Sequence, residues 1–270
     1  NLKIYMKIFI TGYSGSLGNI ICEKYSEKNK IFKINLRNIN FDNSEELNNL
    51  LNKFNEADVV INCAASLKPK NKSDFFINEN FPKLLAEHLE LFNKKSVFLH
   101  ISTINVLIKK REDNYTKSKR IAEKKLQDTK STIIRLPLMY QQTNGLIEKF
   151  GNLTVLFKYL NYKLPIHPMI YPGHSFEPLD VDKMLEFLEK LMFIKNDKIK
   201  FFNLSGGTKI HLWDLYENIA NQKKKKILKI NISKLIPTFL INILIKKNNF
   251  LQQFVEIDNT QYNEEKTVLN

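Results

Sequence analysis

Cysteine is scarce in this chain, with two residues in 270, Cys22 and Cys63. Two isolated thiols make neither a disulfide framework nor the clustered spacing of a zinc site. Both sit in apolar stretches (NIICEKY and VVINCAA) and read as buried free thiols, so no metal is expected. Arginine is nearly as rare, at positions 37, 111, 120 and 135, against 38 lysines. The formal charge of +14 therefore comes from lysine. A surface built for planar phosphate recognition favours arginine. The excess follows a general bias toward Lys, Asn and Ile, and no specific nucleic-acid partner is expected. No run of about 18 apolar residues is present, and no charged start, apolar middle and cleavage site mark a signal peptide. A cytoplasmic protein without a membrane partner is the expectation. The basic, apolar segment 233–247 reads as a core helix rather than an interfacial one, because it is apolar all round and contains Pro237.

What is present suits a soluble globular chain: 43% hydrophobic and 26% charged residues, enough for one large domain or one and a half. Short apolar strands alternate with helical stretches through the first half. Strands are expected at 7–11, 31–36, 58–62, 97–102 and 132–136, with helices at 17–28, 44–54, 79–93 and 115–127. That alternation predicts an α/β fold of the Rossmann type, a doubly wound parallel sheet. Beyond about residue 140 it fades, and helices are expected at 144–160, 181–194 and 211–222 with a strand at 201–204. The expected division is a dinucleotide-binding domain over 1–141, to which 171–205 returns. A smaller mixed subdomain for substrate would take 142–170 and 206–270.

Glycine numbers only eight, and three fall in the segment Thr11–Gly18 (TGYSGSLG), directly after a strand and before a helix. In that context Gly12 permits a tight turn, Gly15 lets backbone approach a pyrophosphate, and Gly18 lets the helix pack on the sheet. Ser14, Ser16 and Leu17 complete the candidate phosphate loop, with the helix N-terminus supplying unpaired N–H groups. The second strand ends at Arg37 and Asn38, with no acid before Asp42. An acid there would hold a ribose hydroxyl, whereas an arginine suits a 2′-phosphate. NADP(H) is thus preferred and NAD(H) is the alternative, with Asp42 kept as a cofactor-side candidate.

Tyr115 and Lys119 form Y-x-x-x-K at a helix start, after a strand that ends in Ser102 and Thr103. The i, i+4 spacing puts phenol and amine on one face. A tyrosine is a poor acid or base near neutrality until a neighbouring ammonium favours its phenolate. A Ser or Thr hydroxyl would then hold the substrate oxygen.

The chain resembles the extended short-chain dehydrogenase/reductases, and among them the nucleotide-sugar reductases of the dTDP-4-dehydrorhamnose reductase kind. The resemblance rests on KIFITGYSGSLG, DVVINCAA, INENFPKLLAEHL, HISTINV, YTKSKRIAEKKL and IIRLPLMY, and further on FEPLDVDKMLEFLEKLM and FFNLSGGTKIHLWDLYENIA. It implies that Thr103 orients substrate, Tyr115 is the acid/base, and Lys119 is its partner and a ribose ligand. Ala64 and Ala65 would line the cofactor, Asn80 would hold structural water, and Leu136, Pro137 and the residues to Tyr140 would pass the nicotinamide. Asn105, Met139 and His174 are the substrate-side candidates, with His167 beside them. Ile104 and Asn105 stand where dehydratases of the superfamily carry Asp-Glu. Epimerase-reductases place a cysteine at the position of Asn105. Reduction of a keto-sugar nucleotide is the activity left, with epimerisation as the alternative. A non-catalytic, cofactor-binding regulator or RNA-associated protein is the reading from another class. A homodimer is compatible with each.

Overall fold

The structure is a computed structural model that describes residues 5–108, 111–171, 175–194, 198–231 and 266–269. In chain order the first half runs β1 (Lys7–Thr11), α1 (Ser16–Ser26), β2 (Lys30–Ile34), α2 (Ser44–Asn52), β3 (Val59–Asn62), α3 (Lys72–Glu79), α4 (Phe81–Phe92), β4 (Val97–Thr103), α5 (Asn114–Lys125) and β5 (Thr132–Leu136). The second half adds β6 (Met139–Thr143), β7 (Leu146–Glu148), α6 (Thr154–Leu160), β8 (His167–Tyr171), β9 (Ser175–Phe176), β10 (Leu179–Asp180) and α7 (Val181–Leu191). It closes with β11 (Lys200–Ser205), β12 (Ile210–His211), α8 (Leu212–Gln222), β13 (Ile227–Asn231) and β14 (Lys266–Val268).

Contacts divide the chain into two units, one of residues 1–106, 114–135 and 185–202, the other of 107–113, 136–184 and 203–270. The first unit carries the sheet β11-β5-β4-β3-β1-β2. Its pairings β2–β1, β1–β3 and β3–β4 are all parallel. Parallel strands need helical crossovers that cover both faces, so they read as near-continuous apolar runs. KIFIT and VVIN are such runs. Their side chains join a core with Phe54, Phe81, Leu85, Leu89 and Phe98. Phe9 stacks on Phe32 with ring centroids 4.3 Å apart. Asn43 caps α2 by accepting from the Glu45 and Glu46 N–H groups, as the acidic first turn suggests. The Tyr25 hydroxyl on α1 donates to the Leu185 carbonyl at 2.5 Å, fixing the end of α7 that belongs to this unit.

In the second unit β14 extends β11 in parallel, pairing Asn203–Ser205 with Lys266–Val268, which completes a seven-stranded order. Three small sheets, β10-β6-β7, β12-β9 and β13-β8, accompany a core of Leu156, Phe157, Leu160, Met169, Trp213 and Tyr216. The helix expected over 144–160 is corrected here. Asn144 and Gly145 both take positive φ (52° and 78°), and β6 and β7 pair antiparallel around them. Asn-Gly is a favoured two-residue hairpin turn, so helix begins only at Thr154. Segment 233–247 lies outside the described residues. Among those described, no helix is long and apolar enough to cross a membrane.

Phe54→Ala removes a ring that is 0% exposed and is expected to lower the unfolding free energy by about 3–5 kcal/mol. Phe92→Ala, at a ring 66% exposed, should change it by less than about 0.5 kcal/mol. Urea midpoints measured side by side check the contrast.

Candidate functional site

The glycine loop leaves β1 through Gly12, whose φ of +70° suits glycine. A Cβ on Gly12 would stand 2.6 Å from the Ala64 backbone nitrogen, so the loop and the segment after β3 touch main chain to main chain. A Cβ on Gly18 would stand 2.3 Å from the Gly12 carbonyl oxygen. Both glycines are therefore required by close approach. Gly15 is the N-cap of α1 and no side chain caps that helix. The N–H groups of its first turn have no intrahelical acceptor, and Ser14, Gly15 and Ser16 are exposed. An anion is what such a turn accepts.

Arg37 reaches this loop, its Nη2 donating to Ser14 Oγ at 3.1 Å. The other three arginines are committed elsewhere. Arg111 bonds Asp113, Arg120 the Val106 carbonyl, and Arg135 the Glu123 carboxylate. Arg37 alone of the four is exposed. Asp42, the other cofactor-side candidate after β2, has its carboxylate bound by Lys72 at 2.6 and 2.8 Å.

At the end of β4 the two hydroxyls separate. Ser102 is buried and donates to Glu123 Oε1 at 2.5 Å, and Glu123 is held by Arg135. Thr103 Oγ1 accepts from the Asn105 N–H at 3.3 Å, an arrangement that uses the oxygen and not the hydroxyl proton. Tyr115 sits half-buried in the first turn of α5. Lys119, one turn on, is 1% exposed and donates from Nζ to the Ile101 carbonyl at 2.6 Å. Its Nζ is also 3.1 Å from His100 Nε2. Burial lowers the Lys119 pKa to about 8, partly opposed by Glu123 and Cys63. Burial likewise holds His100 well below its ordinary value, with Lys119 adding to the effect, so its imidazole is neutral.

A family model described as the RmlD substrate binding domain matches residues 6–153, more than half of the chain. The chain belongs to this family. No sequence match was found among curated proteins. Among solved structures, the RmlD-family chain is similar to dTDP-4-dehydrorhamnose reductase from Bacillus anthracis in complex with NADP, at 16% identity and TM-score 0.66 over 86% of each chain. A dTDP-4-dehydrorhamnose reductase ortholog from Clostridium acetobutylicum gives 20% identity and TM-score 0.66 over 84% of each. RMD from Pseudomonas aeruginosa complexed with NADPH gives 16% and 0.60, over 83% of this chain and 85% of that one. These are likenesses of fold.

Of the residues singled out in the sequence, the first unit of this RmlD-family chain holds Gly12, Ser14, Gly15, Ser16, Leu17, Arg37, Asp42, Ala64, Ala65, Thr103, Asn105, Tyr115 and Lys119. Leu136, Pro137 and Met139 fall in the second unit, with Met139 paired to Leu179 across β6 and β10. His174 lies outside the described residues. His167 is buried and stands edge-on to Tyr159, ring centroids 5.3 Å apart, within the second unit's aromatic core.

Asn80 ends α3 just before Phe81-Pro82, and its side chain accepts from Lys125 Nζ. Asn78 is the buried one. It accepts from Ser66 N at 2.8 Å and donates to Ser66 O at 3.0 Å and Ser118 Oγ at 2.9 Å. Ser118 in turn donates to the Tyr115 carbonyl at 2.8 Å, so Asn78 ties the segment after β3 to the first turn of α5.

Lys119 carries a stability penalty with a definite pH window. The unfolded chain keeps its lysine protonated up to about 10.5, the folded protein only to about 8. Stability should therefore rise with pH between those values. Lys119→Met is expected to stabilise the protein at pH 7 by on the order of 2 kcal/mol, less than the full linkage because the Ile101 carbonyl loses its donor. The gain should vanish by about pH 10. Urea unfolding at both pH values tests this, and a variant no more stable than the wild-type chain at pH 7 would refute it.

Proposed function

We propose that this chain is an NADP(H)-dependent reductase of a keto carbon in a nucleotide-linked sugar. One observation carries the reading. The first unit holds an exposed, uncapped glycine turn with the chain's one exposed arginine against it, together with an uncommitted hydroxyl, a phenol and a buried amine on β4 and α5.

The residues present suit a dinucleotide. The α1 N-terminus would take the diphosphate and Arg37 the 2′-phosphate. Ala64 and Ala65 would face the adenosine side, and Lys119 the ribose hydroxyls. Bound nicotinamide supplies the hydride. Thr103 donates its hydroxyl proton to the substrate carbonyl and so fixes its direction. Tyr115 delivers a proton to that oxygen as charge develops on it, and a Lys119 ammonium stabilises the phenolate left behind. Ile104 and Asn105 offer neither acid nor base for eliminating water, so the sugar leaves reduced but not dehydrated. Leu136, Pro137, Met139 and His174 are assigned to nicotinamide and sugar, and the second unit to the nucleotide-sugar. The NADP- and NADPH-bound reductases of like fold support this choice of cofactor and substrate class.

NADPH oxidation measured against a panel of nucleotide 4-keto-sugars is the direct assay, and no turnover on any of them would refute the reading. Tyr115→Phe should lower kcat by about 10²–10⁴ while NADPH still binds. Arg37→Ala should weaken NADPH binding by roughly tenfold or more and leave NADH nearly unchanged, since one charge-assisted phosphate contact is lost. Equal loss for both cofactors would remove Arg37 from the 2′-phosphate.

A further inference from the structure

The parallel register aligns Thr11 with Asn62 across β1 and β3, and Asn62 with His100 across β3 and β4. All three side chains are 0% exposed. Thr11 Oγ1 donates to Asn62 Oδ1 at 2.6 Å, and Asn62 Nδ2 lies 3.0 Å from His100 Nδ1. His100 Nε2 closes the row on Lys119 Nζ. A polar line thus crosses three strands, from the foot of the glycine loop to the Lys119 amine on α5.

The donors and acceptors of this line can be satisfied in two ways. When the Asn62 amide donates to Nδ1, the neutral imidazole carries its proton on Nε2, aimed at Lys119. That proton needs a lone pair, which only the neutral amine has. When Lys119 is an ammonium it donates to Nε2, so the ring proton sits on Nδ1. The Asn62 amide must then turn over, accepting from Nδ1 and donating to Thr11 Oγ1. Amide orientation and ring tautomer are set by the surrounding bonds, and here each arrangement matches one protonation state of Lys119.

We propose that His100 is a positioning residue for Lys119, and that His100, Asn62 and Thr11 form a two-state hydrogen-bond chain whose tautomer and amide orientation follow the lysine's proton. The chain keeps the amine in hydrogen-bond register at either charge, so Lys119 changes protonation without leaving the Ile101 carbonyl. The other groups that act on the amine are Glu123 on its own helix and Cys63 after β3. Glu123 is ion-paired to Arg135 at 2.8 Å and hydrogen-bonded to Ser102. Burial pushes the Cys63 thiol up to about 12, which keeps it neutral. His100 is the partner whose proton can change sides. The consequence for turnover rests on the reductase reading; the structural claim does not.

Nitrogen-15 spectra of the imidazoles, with carbon-13 spectra of the lysine ε-carbons, test the claim on the full chain without cofactor or substrate. Through the Lys119 titration, His100 should pass from the Nδ1–H to the Nε2–H tautomer and never become imidazolium. His100→Leu removes an acceptor from the ammonium and should lower the Lys119 pKa by at least about half a unit, while His100→Gln, which keeps a polar head, restores most of it. Asn62→Leu should leave the amine in place but lock His100 in one tautomer across the titration. A single unchanging His100 tautomer in the wild-type chain, or a Lys119 titration unmoved by His100→Leu, would overturn the proposal. If the tautomer switch is seen and no keto-sugar is reduced, the two-state chain stands and the reductase reading falls. With turnover present, His100→Leu should shift the pH–rate profile in the same direction as the Lys119 pKa, with kcat changed more than KM. A profile that stays in place would remove His100 from the reaction.

Discussion

An amine held at 1% exposure is unfavourable wherever it carries charge, and the alignment of β3, β4 and α5 follows from how Lys119 is accommodated. Its bond to the Ile101 carbonyl ties α5 to β4 one turn from Tyr115. The same helix sends Ser118 to Asn78, and Glu123 to Arg135 and Ser102. Three side chains of α5, Ser118, Lys119 and Glu123, are thus fixed by polar contacts that have few alternatives in a dry interior. A phenol at the first turn of such a helix has little freedom to drift, which is what proton transfer over a short distance requires. Rigidity here is set by hydrogen bonds around a costly charge more than by apolar packing.

What the sequence made legible was local. A strand followed by three closely spaced glycines and a helix can be read from its spacing alone, because that spacing marks a turn where backbone must come close. Gly12 and Gly18 make that close approach in the structure, at the Ala64 and Gly12 backbones. Tyr115 and Lys119 were legible for the same reason, since helical periodicity alone puts them on one face. The alternation of apolar strands and helices gave the parallel sheet of the first unit.

Register was not legible. Thr11 and Asn62 end buried strands and His100 lies inside one, and nothing in one sequence states that they fall side by side. His100 stands between a strand-end asparagine and the amine of Lys119, a placement that only the register supplies. Asn78 was missed for the same reason, because the partners that bind its side chain, Ser66 and Ser118, lie 12 and 40 positions away. At 144–160 the apolar spacing suggested a helix, and the Asn144-Gly145 turn, a short-range signal of its own, outweighed it.

The charge of +14 is a weaker guide to partners than its size suggests. Exposed lysines spread over a surface are screened beyond about 8–10 Å at ordinary ionic strength, so affinity for an anion depends on what converges at one place. At the glycine turn that is a set of backbone N–H groups without a cap, and a guanidinium within 3.1 Å of Ser14 Oγ. Asp42, the acid closest in sequence after β2, would oppose a phosphate there if its carboxylate were free. Lys72 holds it at 2.6 Å, with both side chains largely exposed. Such a pair adds little to stability. Its effect is to neutralise the acid closest in sequence after β2, so that Asp42 does not act there as a free negative charge.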